Sequence, residues 1–281
     1  MGSESGTVLI TGAAGGMGLA CSRALGPYHS ELLLTDREGD RLEAAADRLR
    51  AAGIECRTLV CDLAEPLSVD AIAGAVASRG GLRALVHTAA VSPTMADWQT
   101  LITIDLVRTI ELLNRLEPLI GPGSVAVCIA SIAAHMGRPA PEGLAEALAD
   151  PTSEELHARL AALHPAPDTG AAYVWAKTAI VRECEVRGIT WGRRGARIVS
   201  VSPGLIDTPM GRFELEVNPL KAPMTSVTPL RGELAGRRDD LPGTADDIAR
   251  AIAFLCSDDA GFINGCDLRI DGGFIPAWRQ R

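Results

Sequence analysis

One α/β domain, built as a doubly wound parallel sheet with helices on both faces, is what this 281-residue sequence predicts. Three observations carry that expectation. Short apolar runs bounded by turn residues alternate with longer amphipathic stretches, the rhythm of repeated strand–helix–strand units. A glycine-rich turn, Thr11-Gly12-Ala13-Ala14-Gly15-Gly16-Met17-Gly18, stands directly after the first apolar run and directly before a helical pattern. No internal repeat, low-complexity tract or composition break divides the chain.

The elements follow in order. The apolar run at 7–10 predicts the first strand and the stretch at about 17–26 its helix. A second strand at 31–35 reads Glu-Leu-Leu-Leu-Thr, and a helix near 38–52 follows it. Strands at 57–61 and 84–87 bracket a helix near 66–78, and a long helix is expected near 97–118. The remaining strands fall at 124–130, 197–202 and 267–270, with helices at about 171–192 and 245–257. Because each strand is separated from the next by a helix, the sheet is expected to be parallel.

Two segments break this rhythm and are too long for ordinary connections. The first is an insert over about 137–170, in which Pro151-Thr152-Ser153-Glu154-Glu155 reads as a capping box and Leu156, Leu160 and Leu163 form one apolar helical face. That face needs cover from its own domain or from a second subunit. The second, over about 205–243, is rich in Pro, Met and Thr, carries Arg231, Arg237 and Arg238, and has the character of a mobile lid over a site.

Composition narrows the function. A net charge of −8 without any Lys/Arg run argues against nucleic-acid binding and favours a small-molecule partner. Seven scattered cysteines without a CxxC pair suggest neither a disulfide framework nor a metal site; buried free thiols in a reducing cytosol are expected. No basic leader or long uncharged run is present, so a soluble cytoplasmic protein without a membrane segment is expected.

The chemistry is concentrated at a few places. In the glycine-rich turn, Gly12, Ala14, Gly16, Met17 and Gly18 are candidates to hold a dinucleotide pyrophosphate, since glycines let backbone N–H groups approach it at a helix N-terminus. The spacing departs from GxGxxG. Asp36 ends the second strand, where a carboxylate accepts from ribose hydroxyls and repels a 2′-phosphate; NAD is therefore expected over NADP, with Arg37 as the competing signal. Tyr173 and Lys177 share one face of a helix. An ammonium beside a phenol favours phenolate, so Lys177 is expected to bring Tyr173 toward the working pH, as proton exchange with a ketone requires.

These features, with Ser131 at a strand end and Pro203-Gly204 after the next strand, align in order with the short-chain dehydrogenase/reductase family. The likeness extends over essentially the whole chain. It includes Asp62 after the third strand, Asp246-Asp247-Ile248-Ala249, Asn264-Gly265 and Asp271-Gly272-Gly273, and resembles the family's classical branch, with its Rossmann-like fold. The resemblance implies that Tyr173 is the general acid/base, that Ser131 hydrogen-bonds the substrate oxygen and that Lys177 holds the nicotinamide ribose. It places Pro203, Gly204, Ile206 and Thr208 at the nicotinamide carboxamide, and Asp62 and Leu63 beside the adenine. It also implies a homotetramer or homodimer built on the helices near 97–118 and 171–192.

Three departures stand out. The family's Asn-Asn-Ala-Gly is replaced by His87-Thr88-Ala89-Ala90, which keeps the small residues Ala89 and Ala90 for backbone contacts with the cofactor. Asp105 stands where the family has the asparagine that links the lysine to a water chain, so it is a catalytic candidate with an altered proton relay. Ser131 and Tyr173 are 42 residues apart, where about a dozen is usual, and this insert resembles that of bacterial 3α-hydroxysteroid dehydrogenase/carbonyl reductases. Met95, Met136, Met210, Phe213 and Met224 are expected at the pocket mouth, favouring a bulky apolar substrate such as a hydroxysteroid or terpenoid. A dihydrodiol or other cyclic alcohol is the alternative substrate, and a non-catalytic NAD-sensing or scaffold protein the alternative of another class.

Overall fold

The computed structural model describes residues 6–137, 139–218, 221–230 and 242–281. Arg231, Arg237 and Arg238 of the expected lid lie outside the described residues. The chain runs β1 (Thr7–Thr11), α1 (Gly16–Leu25), β2 (Leu32–Asp36), α2 (Gly39–Ala51), β3 (Cys56–Val60), α3 (Ser68–Ala77) and β4 (Leu82–His87). It continues with α4 (Trp98–Ile102), α5 (Arg108–Leu116), β5 (Ile120–Ile129), α6 (Leu144–Ala147), α7 (Leu156–Ala161), α8 (Thr169–Arg193) and β6 (Arg197–Pro203). The last part holds β7 (Ile206–Asp207), α9 (Pro209–Val217), α10 (Lys221–Val227), β8 (Gly243–Thr244), α11 (Ala245–Cys256), β9 (Asp267–Ile270) and α12 (Phe274–Trp278).

Seven strands form one parallel sheet in the order β3-β2-β1-β4-β5-β6-β9, the Rossmann-like α/β arrangement the alternation predicts. Strand period decides which face each side chain serves. Leu9, Leu33, Leu85, Ala126 and Ile198 point into one core with residues of α3, α5 and α8. Their neighbours Val8, Ile10, Leu34, Val86, Val127 and Val199 point into the other, with residues of α1, α2 and α11. Strand order reverses direction between β1 and β4, and such a switch point opens a crevice at the carboxyl ends of the strands.

The insert is covered by its own chain. Leu156 and Leu160 are fully buried in the α3/α5/α8 core, and Leu163 packs against the same cluster. The anticipated capping box does not form: α7 starts at Leu156 without a side-chain cap, because Ser153 accepts from the Glu155 N–H and Asp150 from the Thr152 N–H, which spends these groups on turns. Leu160→Ala is expected to cost about 2–5 kcal/mol of stability, read from urea unfolding, as for other buried leucine truncations. A value within error of zero would show that the insert is only draped on the core.

The long helix expected over 97–118 is interrupted. Between α4 and α5 lies a π-helical stretch, Thr103–Val107, which carries Asp105. The Thr109 hydroxyl donates to the Asp105 carbonyl there, and the Asp105 side chain is buried beneath the sheet's carboxyl edge. Six of the seven free cysteines are buried as expected; Cys266 is exposed, at the start of the edge strand β9.

Candidate active site

The cleft at the switch point has a volume of about 370 Å³. Its wall includes Gly12, Gly16, Met17 and Gly18 of the turn, Asp36 and Arg37 after β2, Asp62 and Leu63 after β3, Ala89 and Ala90 after β4, and Thr208. Ala14, Pro203, Gly204 and Ile206 lie off that wall. Ala14 donates its N–H to Asp36 Oδ2 at 3.0 Å, and Ile206 is buried in the core.

The turn fits a dinucleotide phosphate. Gly12 has φ of 65°, and a Cβ on it would stand 2.8 Å from the Ala89 nitrogen. A Cβ on Gly18 would run into the Gly12 carbonyl, so any larger residue forces β1 and α1 apart. The N-terminus of α1 has no side-chain cap, so its positive end faces the cleft without a protein acceptor from that position.

At the end of β2, Asp36 accepts from the N–H groups of Ala14 and Glu38. Two residues that sequence reasoning did not single out also stand on this wall: Glu38, and Arg41, whose Nη1 donates to Glu38 Oε1 at 3.0 Å. Arg37 Nε lies 3.9 Å from the same carboxylate. The signal for this cluster was present in Asp36-Arg37-Glu38 and the i,i+3 position of Arg41.

Beyond the cleft wall, β5 delivers Ser131 at its end and α8 delivers Tyr173 and Lys177. Asp168 caps α8 by accepting from the Ala171 N–H, which starts the helix at Thr169 and sets the rotation that turns Tyr173 and Lys177 inward. Ser131 contacts the phenol, and Lys177 Nζ is 5.5 Å from the Tyr173 ring centre. Lys177 is buried, donates to the Ile129 carbonyl at 3.3 Å and pairs with Asp105 Oδ2 at 3.1 Å. That pair is electrostatic: Oδ2 lacks hydrogen-bond alignment, while Oδ1 accepts from the Val91 N–H at 2.8 Å.

Sequence reasoning expected Lys177 to bring the phenol down. The opposite holds. Burial pushes Tyr173 above the ordinary tyrosine range, against the pull of Lys177, with Asp105 adding to the rise, Ser131 opposing it and Glu214 adding again. Burial also raises the Asp105 carboxyl, only partly countered by Lys177 and by the Val91 N–H. Lys177 is pulled down by burial but held above its ordinary value by Asp105 and Tyr173.

His87 completes the local frame. Burial, helped by the charge of Lys177, lowers it to about 3, so the ring is neutral. Its Nδ1 meets Thr11 Oγ1 at 2.8 Å and its Nε2 meets Thr109 Oγ1 at 2.9 Å. Since Thr109 donates to the Asp105 carbonyl and Thr11 accepts from the Ala89 N–H, the ring accepts at Nδ1 and donates at Nε2. His87 thus ties β1 and β4 to Thr109, and through it to the Asp105 carbonyl of the π-helical stretch.

Glu214 was also missed. This buried carboxylate of α9 accepts from Thr94 at 2.6 Å and lies 3.3 Å from Lys221 Nζ. Burial would raise it, but the hydroxyls of Ser92 and Thr94 and the Lys221 charge bring it below the ordinary range. Little local in the sequence marks it, because Ser92 and Thr94 lie more than a hundred residues away along the chain. The expected apolar mouth is only partly present. Met95, Met210 and Phe213 line the cleft, whereas Met136 and Met224 pack around Phe274 and Ile132 as core.

Residues 6–142 match the profile described as short chain dehydrogenase, and residues 157–275 match the profile described as enoyl-(acyl carrier protein) reductase. The chain belongs to the short-chain dehydrogenase/reductase family. The family comprises oxidoreductases that use a nicotinamide cofactor. Among relatives of this member is D-threitol dehydrogenase of Mycolicibacterium smegmatis, 29% identical over 274 residues, covering 95% of this chain and 91% of that one. Another is cis-4-hydroxycyclohexanecarboxylate dehydrogenase of Sinomonas cyclohexanicum, 29% identical over 279 residues, covering 95% of each. The solved structure of levodione reductase superposes with a TM-score of 0.76 at 24% identity, covering 98% of this chain and 99% of that one, which shows the shared fold.

Proposed function

We propose that this short-chain dehydrogenase/reductase is an NAD-dependent enzyme that interconverts a secondary alcohol and a ketone on a bulky apolar substrate, a hydroxysteroid or terpenoid. The observation that carries the proposal is the convergence of Ser131, Tyr173 and Lys177 beyond a cleft whose glycine turn fits a dinucleotide. A bound nicotinamide supplies or takes up the hydride. Tyr173 exchanges the proton at the substrate oxygen, Ser131 hydrogen-bonds that oxygen, and Lys177 orients the ribose. Met95, Met210 and Phe213 supply apolar surface next to it.

The NAD assignment is supported by Asp36 and by Glu38, which draws both Arg37 and Arg41 to itself and occupies the cations a 2′-phosphate would need. Asp36→Ala is expected to narrow the ratio of kcat/KM between NAD and NADP. A ratio that stays fixed would place the ribose elsewhere.

The relative that acts on cis-4-hydroxycyclohexanecarboxylate favours a second reading, a cyclic alcohol, which the same residues would serve. Following absorbance at 340 nm with hydroxysteroids, terpene alcohols, cyclic diols and hydroxycyclohexane carboxylates separates the two. Tight NAD binding without turnover on any of them would instead indicate a non-catalytic NAD sensor. The proposal includes a homodimer or homotetramer in the cytoplasm, supported by Val186 and Ile189, 55% and 60% exposed on α8. Light scattering tests the assembly.

A further inference from the structure

Asp105 sits at 3.1 Å from Lys177 with its side chain fully buried, and nothing in the proposed chemistry requires a negative charge there. A lone buried ammonium beside Tyr173 would stabilise phenolate, and a carboxylate set against that ammonium opposes part of its pull. The carboxylate is locked in place. Val91, on the cleft wall, donates its N–H to Oδ1; the π-helical stretch turns the side chain inward; and the Thr109–His87–Thr11 chain ties that stretch to β4 and β1.

The other groups facing this pair do not restore a positive field. From β4 comes His87, neutral as described above, and from β5 the Cys128 thiol beside Lys177. From α9 comes Glu214, a second carboxylate within electrostatic reach of the phenol. Among the described residues the charges acting on Tyr173 are Lys177, Asp105 and Glu214, the last itself paired with Lys221 at 3.3 Å, so Asp105 is the carboxylate set directly against Lys177.

We infer that Asp105 is a charge-compensating positioning residue: by neutralising Lys177 it keeps Tyr173 as a proton-holding phenol, so the site at neutral pH is set to give a proton to a ketone rather than to take one from an alcohol. This rests on the assignment of Tyr173 as the acid/base. Proton balance gives the direction. Reduction needs the O–H on Tyr173 at the start, and oxidation needs phenolate, which this environment makes scarce until the solution is alkaline. The raised Tyr173 agrees with the geometry.

The chain offers a direct test because it has only two tyrosines, Tyr28 and Tyr173. Tyr28 is 72% exposed and follows the C-terminus of α1, the end opposite the glycine turn, so Tyr28→Phe leaves Tyr173 as the sole source of phenolate absorbance near 295 nm. In the full-length protein without cofactor or substrate, phenolate in the Tyr28→Phe background is expected to form only above the ordinary tyrosine value of about 10. Adding Asp105→Asn, which keeps an acceptor for Val91 but removes the charge, is expected to move that midpoint down by about one pH unit or more. Loosening that exposes the ring would bring the midpoint back only as far as the free value of about 10, so a midpoint below that value in the Asp105→Asn protein separates lost charge from lost packing.

Two results would overturn the inference: superimposable titrations of the two proteins, or phenolate already forming near neutral pH in the Tyr28→Phe protein. The second needs no variant at position 105, so misfolding of Asp105→Asn leaves the inference open to refutation. Because the titration uses no substrate, its outcome is separate from the substrate panel. Where turnover is found, the pH profile of alcohol oxidation is expected to move to lower pH in Asp105→Asn by the same interval.

Discussion

Replacing Tyr173 by Phe is expected to lower turnover by about 100-fold or more while dinucleotide affinity changes little, because the lost group moves a proton only in the chemical step. The ring stays, so its packing beside the insert-covered core is kept. What goes is the hydroxyl that Ser131 contacts and that Lys177 and Asp105 bracket. Turnover at 340 nm and cofactor binding by fluorescence quenching check the two halves of this expectation. Unchanged turnover would remove Tyr173 from the mechanism, and a matching loss of NAD affinity would assign it to binding instead.

The second large effect concerns stability. Lys177→Met leaves the fully buried Asp105 without its partner, and breaking a buried pair in this way costs about 3–5 kcal/mol. The loss depends on pH in a defined direction. Asp105 is already held above the ordinary carboxylate range by burial, and removing the ammonium raises it further. A carboxyl raised in the folded protein favours folding most below its unfolded value of about 3.9, and that contribution is lost as pH climbs toward the folded value. Lys177→Met is therefore expected to be less impaired at pH 5 than at pH 8, and Lys177→Met with Asp105→Asn to recover most of the loss. Urea unfolding at both pH values measures it. Equal deficits at the two pH values, or no recovery in the double variant, would show that the cost comes from packing and not from the stranded charge.

How much of this was legible beforehand depends on whether the cause was local. The alternation of short and long apolar stretches was enough for the sheet, because side-chain period and connection length are properties of neighbouring residues. The glycine turn and Asp36 were legible for the same reason: each sits at a strand end, where the backbone fixes what the residue can face. Arg41 and Glu38 were within reach of such reasoning. Glu214 was not, since Ser92 and Thr94 meet it only after the α9 segment folds back over the loop that follows β4. Likewise the methionines read as one apolar mouth are divided by the fold between the cleft and a core around Phe274.

By itself the sequence determined the α/β architecture, the place of the dinucleotide turn and the short list of groups from which a site can be made, because strand period, helical period and motif order are carried by residues close together in the chain. Only the tertiary structure decided that burial outweighs the pull of Lys177 on Tyr173. The helical spacing from Tyr173 to Lys177 argued for a lowered phenol. Folding reverses that by burying the ring and by bringing Asp105 from the π-helical stretch onto the ammonium, since a buried charge answers to whatever the fold sets beside it and not to its neighbours in sequence.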